Sequence, residues 1–275
     1  MQKTTQKRLT NGVLILCNIL FALILLFPVF YCLSMSLMTN QEIYAQKILS
    51  FSFNIQNYFD ALEMAPLFRY IFNTVIVAGV SVFLQMVTGT LAAFAFSMLK
   101  FKGRNLLFLL FLATMMIPGQ AIIIANYLTV SSWNLANTFT ALILPYACTA
   151  FAVFNLRQGF LSLPKELHEA AMIDGCSNFR YFYSIALPLL KPSLGALGIY
   201  EFLQVWNNYL WPLLITSKTE MRTVQIGLSM LQDGEAAQYG PVMAGAMLVL
   251  IPSIIVFLIG QKQMVAGLTS GAVKG

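Results

Sequence analysis

The sequence predicts an all-α integral membrane protein with six transmembrane helices and a short cytoplasmic helix between helices 4 and 5. Three observations carry that prediction. First, hydrophobic residues make up 59% of the 275 residues and charged residues 9%, with a mean hydropathy of +0.76. A water-soluble domain is about 25% charged, so this chain has too few charges to cover a water-facing surface. Second, its uncharged stretches are long enough to cross a bilayer core of about 30 Å, which takes about 20 apolar residues in a helix. Third, Lys and Arg gather on one side once six spans are drawn. Together these exclude an ordinary soluble enzyme, a disordered chain and a nucleic-acid-binding domain, so no nucleic acid is expected as a partner.

The elements follow in order. Residues 13–38 carry no charge and give a first span near 13–36. Lys3, Lys7 and Arg8 precede it as in a signal peptide. The apolar stretch exceeds the roughly 7–15 residues of such a segment, and no clear A-x-A site follows, so the reading is an uncleaved helix. Residues 71–99 are uncharged and give a second span near 71–98. Residues 105–156 are uncharged for 52 residues, too long for one span. Two spans, near 105–126 and 138–160, fit there with a turn at Asn126–Thr138, where Ser, Asn and Trp gather. Residues 186–217 hold two charges, Lys191 near the start and Glu201, and give a fifth span near 186–214. Residues 236–261 hold none and give a sixth near 240–261. No internal repeat or low-complexity tract interrupts what reads as a single transmembrane domain over 1–275.

Six spans place both termini on one side. Lys47, Arg69, Lys218 and Arg222 then lie on the other, and the remaining 12 of the 16 basic residues lie with the termini. The positive-inside bias makes the termini cytoplasmic, and the net charge of +6 serves topology. The segments 39–70 and 218–239 are outer. The turn Lys100–Arg104, the loop 160–185 and the tail from Lys262 are inner. Cys17, Cys32, Cys148 and Cys176 form no CxxC pair and read as small buried hydrophobes. His168, the single histidine, cannot build a His-based metal cluster, and no metal site is expected.

The inner loop is the most structured of these segments. Ser162 followed by Pro164 is a helix-start signal, with Ser as cap and Pro in the first turn. A helix of ~8–10 residues then runs through Met172, and Asp174-Gly175 stops it, Gly taking the left-handed conformation. Ser177 caps a second helix that ends against Pro188. On the first helix Leu167, Ala170 and Ala171 share a face, with Lys165, Glu166 and Glu169 at its rim. A helix this short is marginal alone in water and needs something to dock on. The small face without Trp-like anchors favours a protein over the membrane surface.

Glu169-Ala170-Ala171, Gly175 six residues after the Glu, Ile185 ten after that, then Leu187-Pro188, resemble the EAA loop of binding-protein-dependent ABC importer permeases. Asp174 lies within the same loop, and Cys176 stands where Ala is common. Further stretches are similar to the carbohydrate branch of that family: Phe53-Asn-Ile-Gln-Asn-Tyr58, Phe101-Lys-Gly-Arg104, Met116-Ile-Pro118 and Trp206-Asn-Asn-Tyr-Leu-Trp-Pro212. The resemblance covers about residues 10–262. It implies a sugar-importer subunit of the bacterial cytoplasmic (inner) membrane whose solute is an oligosaccharide, monosaccharide, polyol or glycerol phosphate. It implies that residues 160–185 form a coupling loop whose helix seats in an ATP-binding subunit present as a dimer. It also implies a second, non-identical permease and an extracytoplasmic solute-binding protein. The chain has no G-x-x-x-x-G-K-[ST] phosphate loop. ATP and Mg are therefore expected on the partner ATPase, with no cofactor and no enzymatic activity on this chain.

Polar groups within a span are costly in lipid and tend to line a bundle interior or wet cavity. The fifth span holds the largest set: Glu201, Gln204, Asn207, Asn208 and Trp211, with Trp206 beside them. Glu201, Gln204, Asn208 and Trp211 fall on one helical face. Amides and a carboxylate suit sugar hydroxyls, and an indole suits a sugar's apolar face. The same residues would serve equally as interhelical hydrogen-bonding groups at ~0.6–2 kcal/mol each, or, for the Trp residues, as interface anchors. Asn73, Gln85, Thr88 and Asn126 are weaker candidates. Two other functions compete. An ion-coupled secondary transporter would need intramembrane carboxylates or broken helices, and Glu201 is the sole in-span carboxylate. An intramembrane hydrolase would need a paired constellation, which one His and one such carboxylate cannot supply.

Overall fold

The computed structural model describes residues 2–232 and 238–270, with side chains described for 11–232 and 238–263. Its described residues form helices joined by turns and short connections, with no strand among them. In chain order they are α1 (Gln2–Ser36), α2 (Asn40–Tyr44), α3 (Gln56–Met64), α4 (Leu67–Met98), α5 (Arg104–Ala113), α6 (Gly119–Ser132), α7 (Phe139–Ile143), α8 (Ala150–Ser162), α9 (Lys165–Ile173), α10 (Asn178–Tyr181), α11 (Leu187–Leu189), α12 (Lys191–Trp206), α13 (Leu210–Ile215), α14 (Val224–Gln232) and α15 (Tyr239–Ser270). Two compact units emerge, Met1–Leu67 with Leu228–Leu250, and Phe68–Gly227 with Ile251–Gly275.

Three helices are long and apolar enough to cross a bilayer: Asn11–Ser36, Leu67–Met98 and Tyr239–Gln263. Three further pairs qualify only as bent pairs: Arg104–Met116 with Gly119–Ser132 at 98°, Phe139–Tyr146 with Ala150–Ser162 at 46°, and Asn178–Leu189 with Lys191–Trp206 at 74°. The described residues thus hold three spans, or up to six if each pair is one span. The three long helices fall on the stretches read as the first, second and sixth spans, and the stretches read as the middle three hold the bent pairs.

Proline and local polar caps explain the breaks. Ile117 is extended (φ −87°, ψ 115°) ahead of Pro118, as the residue before a proline prefers, and α6 restarts beyond it. The chain of α6 continues to Ser132, so the turn predicted at Asn126–Thr138 is confined to the residues after Ser132. Asn134 and Asn137 take left-handed backbone there (φ 56° and 59°), a conformation Asn tolerates well. Thr138 and Thr149 cap α7 and α8, their hydroxyls accepting from the Ala141 and Ala152 amides at 3.1 and 3.2 Å.

The cysteines depart from expectation. All four are free, but Cys17 and Cys148 are exposed and Cys32 and Cys176 half-buried. Apolar composition does not distinguish side chains buried in protein from those turned toward lipid. Of the outer segment 218–239, residues 233–237 lie outside the described residues, as does Lys274 of the tail, and so do the side chains of Lys3, Lys7 and Arg8.

Candidate functional site

The segment from Leu163 to Leu190 is built outward from an apolar floor. Phe94, Phe160 and Phe182 pack against one another with ring centroids 5.0–6.1 Å apart. With Ala152, Leu156, Tyr181, Ala186, Leu190 and Leu197 they form one buried cluster. Ala171 is 7% exposed and belongs to it, and Leu163, Met172, Cys176, Ile185 and Leu187 pack on its edge. Helix α9 therefore lies on the chain's own core by its Ala171–Met172 side.

The ends of α9 are fixed differently. Ser162 does not cap it. Ser162 closes α8 instead, its hydroxyl donating to the Gly159 carbonyl at 2.7 Å, and Pro164 occupies the cap position without a side-chain bond. Ser162 lies two residues too early, within the last turn of the preceding helix. At the other end the reading holds: Gly175 has φ +76°. Its amide donates to Met172 O at 3.1 Å, and the Cys176 amide donates to Ala171 O at 2.9 Å. That bond pair is a Schellman closure, which requires a left-handed residue at Gly175. Ser177 then caps α10 by accepting from the Arg180 amide at 3.3 Å. His168 joins the two helices, with Nε2 3.3 Å from Asn178 Oδ1 and its ring edge-on to Tyr181 at 4.8 Å.

Beyond α10 the helix does not end at Pro188. A wide π-type turn, Phe182–Ala186, carries it into α11. Proline lacks an N–H and its ring crowds the carbonyl four residues back, here Ser184, and the widened turn relieves that. The chain breaks two residues later at Leu190, before α12.

The expected face Leu167–Ala170–Ala171 is split. Ala171 is buried, whereas Leu167 (40% exposed) and Ala170 look outward. Glu166, Glu169, Asp174 and Gly175 are exposed with them. The sequence reading missed two residues: Ile173, 86% exposed, and Phe179, 66% exposed. A spacing of 3, 4 and 7 residues from Glu166 to Glu169, Ala170 and Ile173 marks their common face and was available in the sequence. An exposed Ile forgoes about 1.5–3 kcal/mol of burial.

The fifth-span candidates do not form one continuous face. α12 ends at Trp206, and Asn207, Asn208 and Tyr209 separate it from α13. Trp211 is buried, and its indole N–H donates to Ala141 O at 3.0 Å. Asn208 donates to the Tyr146 hydroxyl at 2.6 Å and accepts from the Trp211 amide, in the first turn of α13, at 3.3 Å. Asn207 Oδ1 accepts from Gln225 at 3.3 Å. Glu201 is buried and accepts from the Thr149 hydroxyl at 3.4 Å. Gln204 is exposed. Interhelical bonding thus accounts for Asn208 and Trp211. Of the weaker candidates, Asn73 bridges to the carbonyls of Glu220 and Arg222 at 2.8 and 2.9 Å, and Thr88 donates to Ala147 O at 2.9 Å. Gln85 is fully buried, and neither amide atom has a partner among the described residues.

Residues 85–263 match the model of the family described as binding-protein-dependent transport system inner membrane component. The chain is 34% identical over 265 residues to the arabinooligosaccharides transport system permease protein of Bacillus subtilis, covering 93% of each chain. It is 39% identical over 206 residues to the sn-glycerol-3-phosphate transport system permease protein of Yersinia enterocolitica, covering 74% of this chain and 73% of that one. In fold it is similar to a chain in the crystal structure of a bacterial ABC transporter that imports the acidic polysaccharide alginate. The TM-score is 0.80 at 22% identity, over 94% of this chain and 97% of the other.

Proposed function

The chain belongs to the binding-protein-dependent transport system inner membrane component family, and on that premise we propose that it is a transmembrane subunit of an ATP-driven importer of sugars or sugar-like solutes. The relatives' named cargoes, arabinooligosaccharides and sn-glycerol-3-phosphate, support a hydroxyl-rich solute. In this reading the three long helices and three bent pairs are six spans with both termini cytoplasmic. Helix α9, between the fourth and fifth, is the coupling helix.

One observation carries the coupling role. The α9 face bearing Glu166, Leu167, Glu169, Ala170 and Ile173 is exposed, while its opposite side is fixed to the chain's own core. A helix held that way moves as one body with α10–α12, so a partner gripping the outer face would shift the spans. The partner is an ATPase dimer, which holds ATP and Mg. A second permease completes the pathway, and a solute-binding protein delivers the cargo from outside. Glu169 and Asp174 supply the polar rim of the contact, Gly175 its tight turn, and Ile185, Leu187 and Pro188 the link to α12. Along the pathway Gln204 and Asn207 meet the solute, with Glu201 behind them and Asn208 and Trp211 as positioning residues.

Broken helices are present, the feature that an ion-coupled carrier would also need; family membership favours the importer. Purification in mild detergent should bring down a P-loop ATPase and a second six-span chain. Uptake should stop on ATP depletion and survive collapse of the proton gradient. Uptake that instead follows the proton gradient would overturn the proposal.

A further inference from the structure

A cavity of about 320 Å³ opens at the turn between α4 and α5, lined by Lys100, Phe101, Gly103, Arg104, Asn105 and Leu106. Its chemistry is divided. Lys100 and Arg104 supply positive charge, no carboxylate lines it, and no acidic side chain pairs with Lys100, Lys102 or Arg104 among the described residues. One guanidinium nitrogen of Arg104 donates to Leu99 O at 3.0 Å. This fixes the group and leaves its other N–H donors available. Gly103 has φ +79° and no side chain caps α5, so donors of the first turn also face this end. Arg157 lies over the ring of Phe108, which belongs to α5, at 4.1 Å. The other wall is apolar: Phe101 and Leu106 are exposed, and Leu107, Leu109 and Leu110 extend the exposed stripe along α5.

We propose that this cavity seats the phosphate head of an anionic phospholipid, with its acyl chains on the leucine face of α5. Unpaired cations beside one another repel, and an anion between them removes that repulsion. A soluble phosphate would use the cationic half of the cavity and leave the apolar half unused. A phospholipid uses both. The site lies in the inner leaflet if residues 100–104 are cytoplasmic, which rests on the orientation proposed above.

Native mass spectrometry of the importer complex, purified with its partner subunits in mild detergent, tests this against added phosphatidylglycerol and phosphatidylethanolamine. Wild type should retain phosphatidylglycerol selectively. Lys100→Gln and Arg104→Gln should each lower that retention about fivefold, equivalent to about 1 kcal/mol per basic residue near the surface. Lys262→Gln, on the exposed end of α15, should not. Lys100→Gln carries the test alone if Arg104→Gln fails to assemble. Equal retention of both lipids, an equal loss in Lys262→Gln, or displacement by millimolar inorganic phosphate would each overturn the lipid seat. Orientation is read separately, in a chain stripped of its four cysteines and carrying Lys102→Cys. A membrane-impermeant maleimide should label inside-out vesicles and not intact cells. Labelling of intact cells would overturn the orientation without touching the lipid result.

Discussion

The segment Thr39–Met64 and the segment Leu163–Tyr181 are held in opposite ways. The first satisfies its polar groups internally. Thr39 and Glu42 form a reciprocal capping box around the start of α2, with bonds of 3.4 and 3.3 Å. Glu42 also accepts from the Ser52 hydroxyl, the Phe51 amide and Lys47. Asn57 is buried and donates to both Ser36 O and Met38 O at 2.9 Å, stitching α3 to the end of α1. Gly240 lies against the same amide, where a Cβ would come within 2.6 Å of Asn57 Nδ2. The second segment is held from beneath by apolar packing, and its outer face, with Ile173 and Phe179, is left unsatisfied. Both segments expose apolar side chains, Tyr44, Phe51 and Phe53 on the first and Ile173 and Phe179 on the second; what differs is that a polar network shapes the first and an apolar floor carries the second.

The sharpest way to break that contrast is charge reversal on the open face. Glu169→Lys should cost several kcal/mol in a complementary interface, lowering uptake more than a hundredfold while leaving membrane insertion intact. Transport at near wild-type rate would remove Glu169 from the contact. Ile173→Ser sharpens the same point at a smaller scale. It should leave the chain's own melting temperature unchanged, because Ile173 touches no core, yet weaken co-purification of the ATPase by roughly 1.5–3 kcal/mol of lost burial. A fall in the chain's own stability would place Ile173 against this chain instead.

The closed segment responds the other way. Asn57→Ala leaves two carbonyls without their donor and should destabilise that segment by about 1–3 kcal/mol. The expected readout is faster hydrogen exchange over residues 36–58 with little change around α9. Loosening of α9 in the same measurement would erase the distinction between the regions.

Legibility in sequence follows the same divide. The three straight spans were readable because uncharged length alone specifies them. Gly175 was readable because a left-handed stop needs glycine. The breaks at Pro118, Leu190 and Asn207–Tyr209 were not, since hydropathy is indifferent to bends. The division of Ala170 from Ala171 was also hidden, because two adjacent alanines carry no sign of which one meets the Phe94–Phe160–Phe182 floor. Asn208 and Trp211 could be drawn as solute contacts only while the fifth span was a straight rod. Once it breaks, Asn208 bonds the Tyr146 hydroxyl and the Trp211 amide, and the Trp211 indole is committed to Ala141.

The smallest expected effect concerns Glu42. Its bond from Ser52, with further bonds from the Thr39 and Phe51 amides and the Lys47 charge, lowers its pKa from 4.5 to about 2. A carboxylate depressed by folding contributes stability that is fully present above its unfolded value and lost as pH falls through the folded one. The segment's stability should therefore be level from pH 7 to about 5, then decline below about 4.5 toward 2. Glu42→Gln lacks that titration and should show a flat profile. Protection of the Phe51 amide, compared between wild type and the variant, should differ by a constant amount down to pH 5, and the difference should close as pH approaches 2. A difference that stays constant all the way down to pH 2 would mean that Glu42 is not held by this network. Residues 39–52 would then lack the polar anchor that sets them apart from α9.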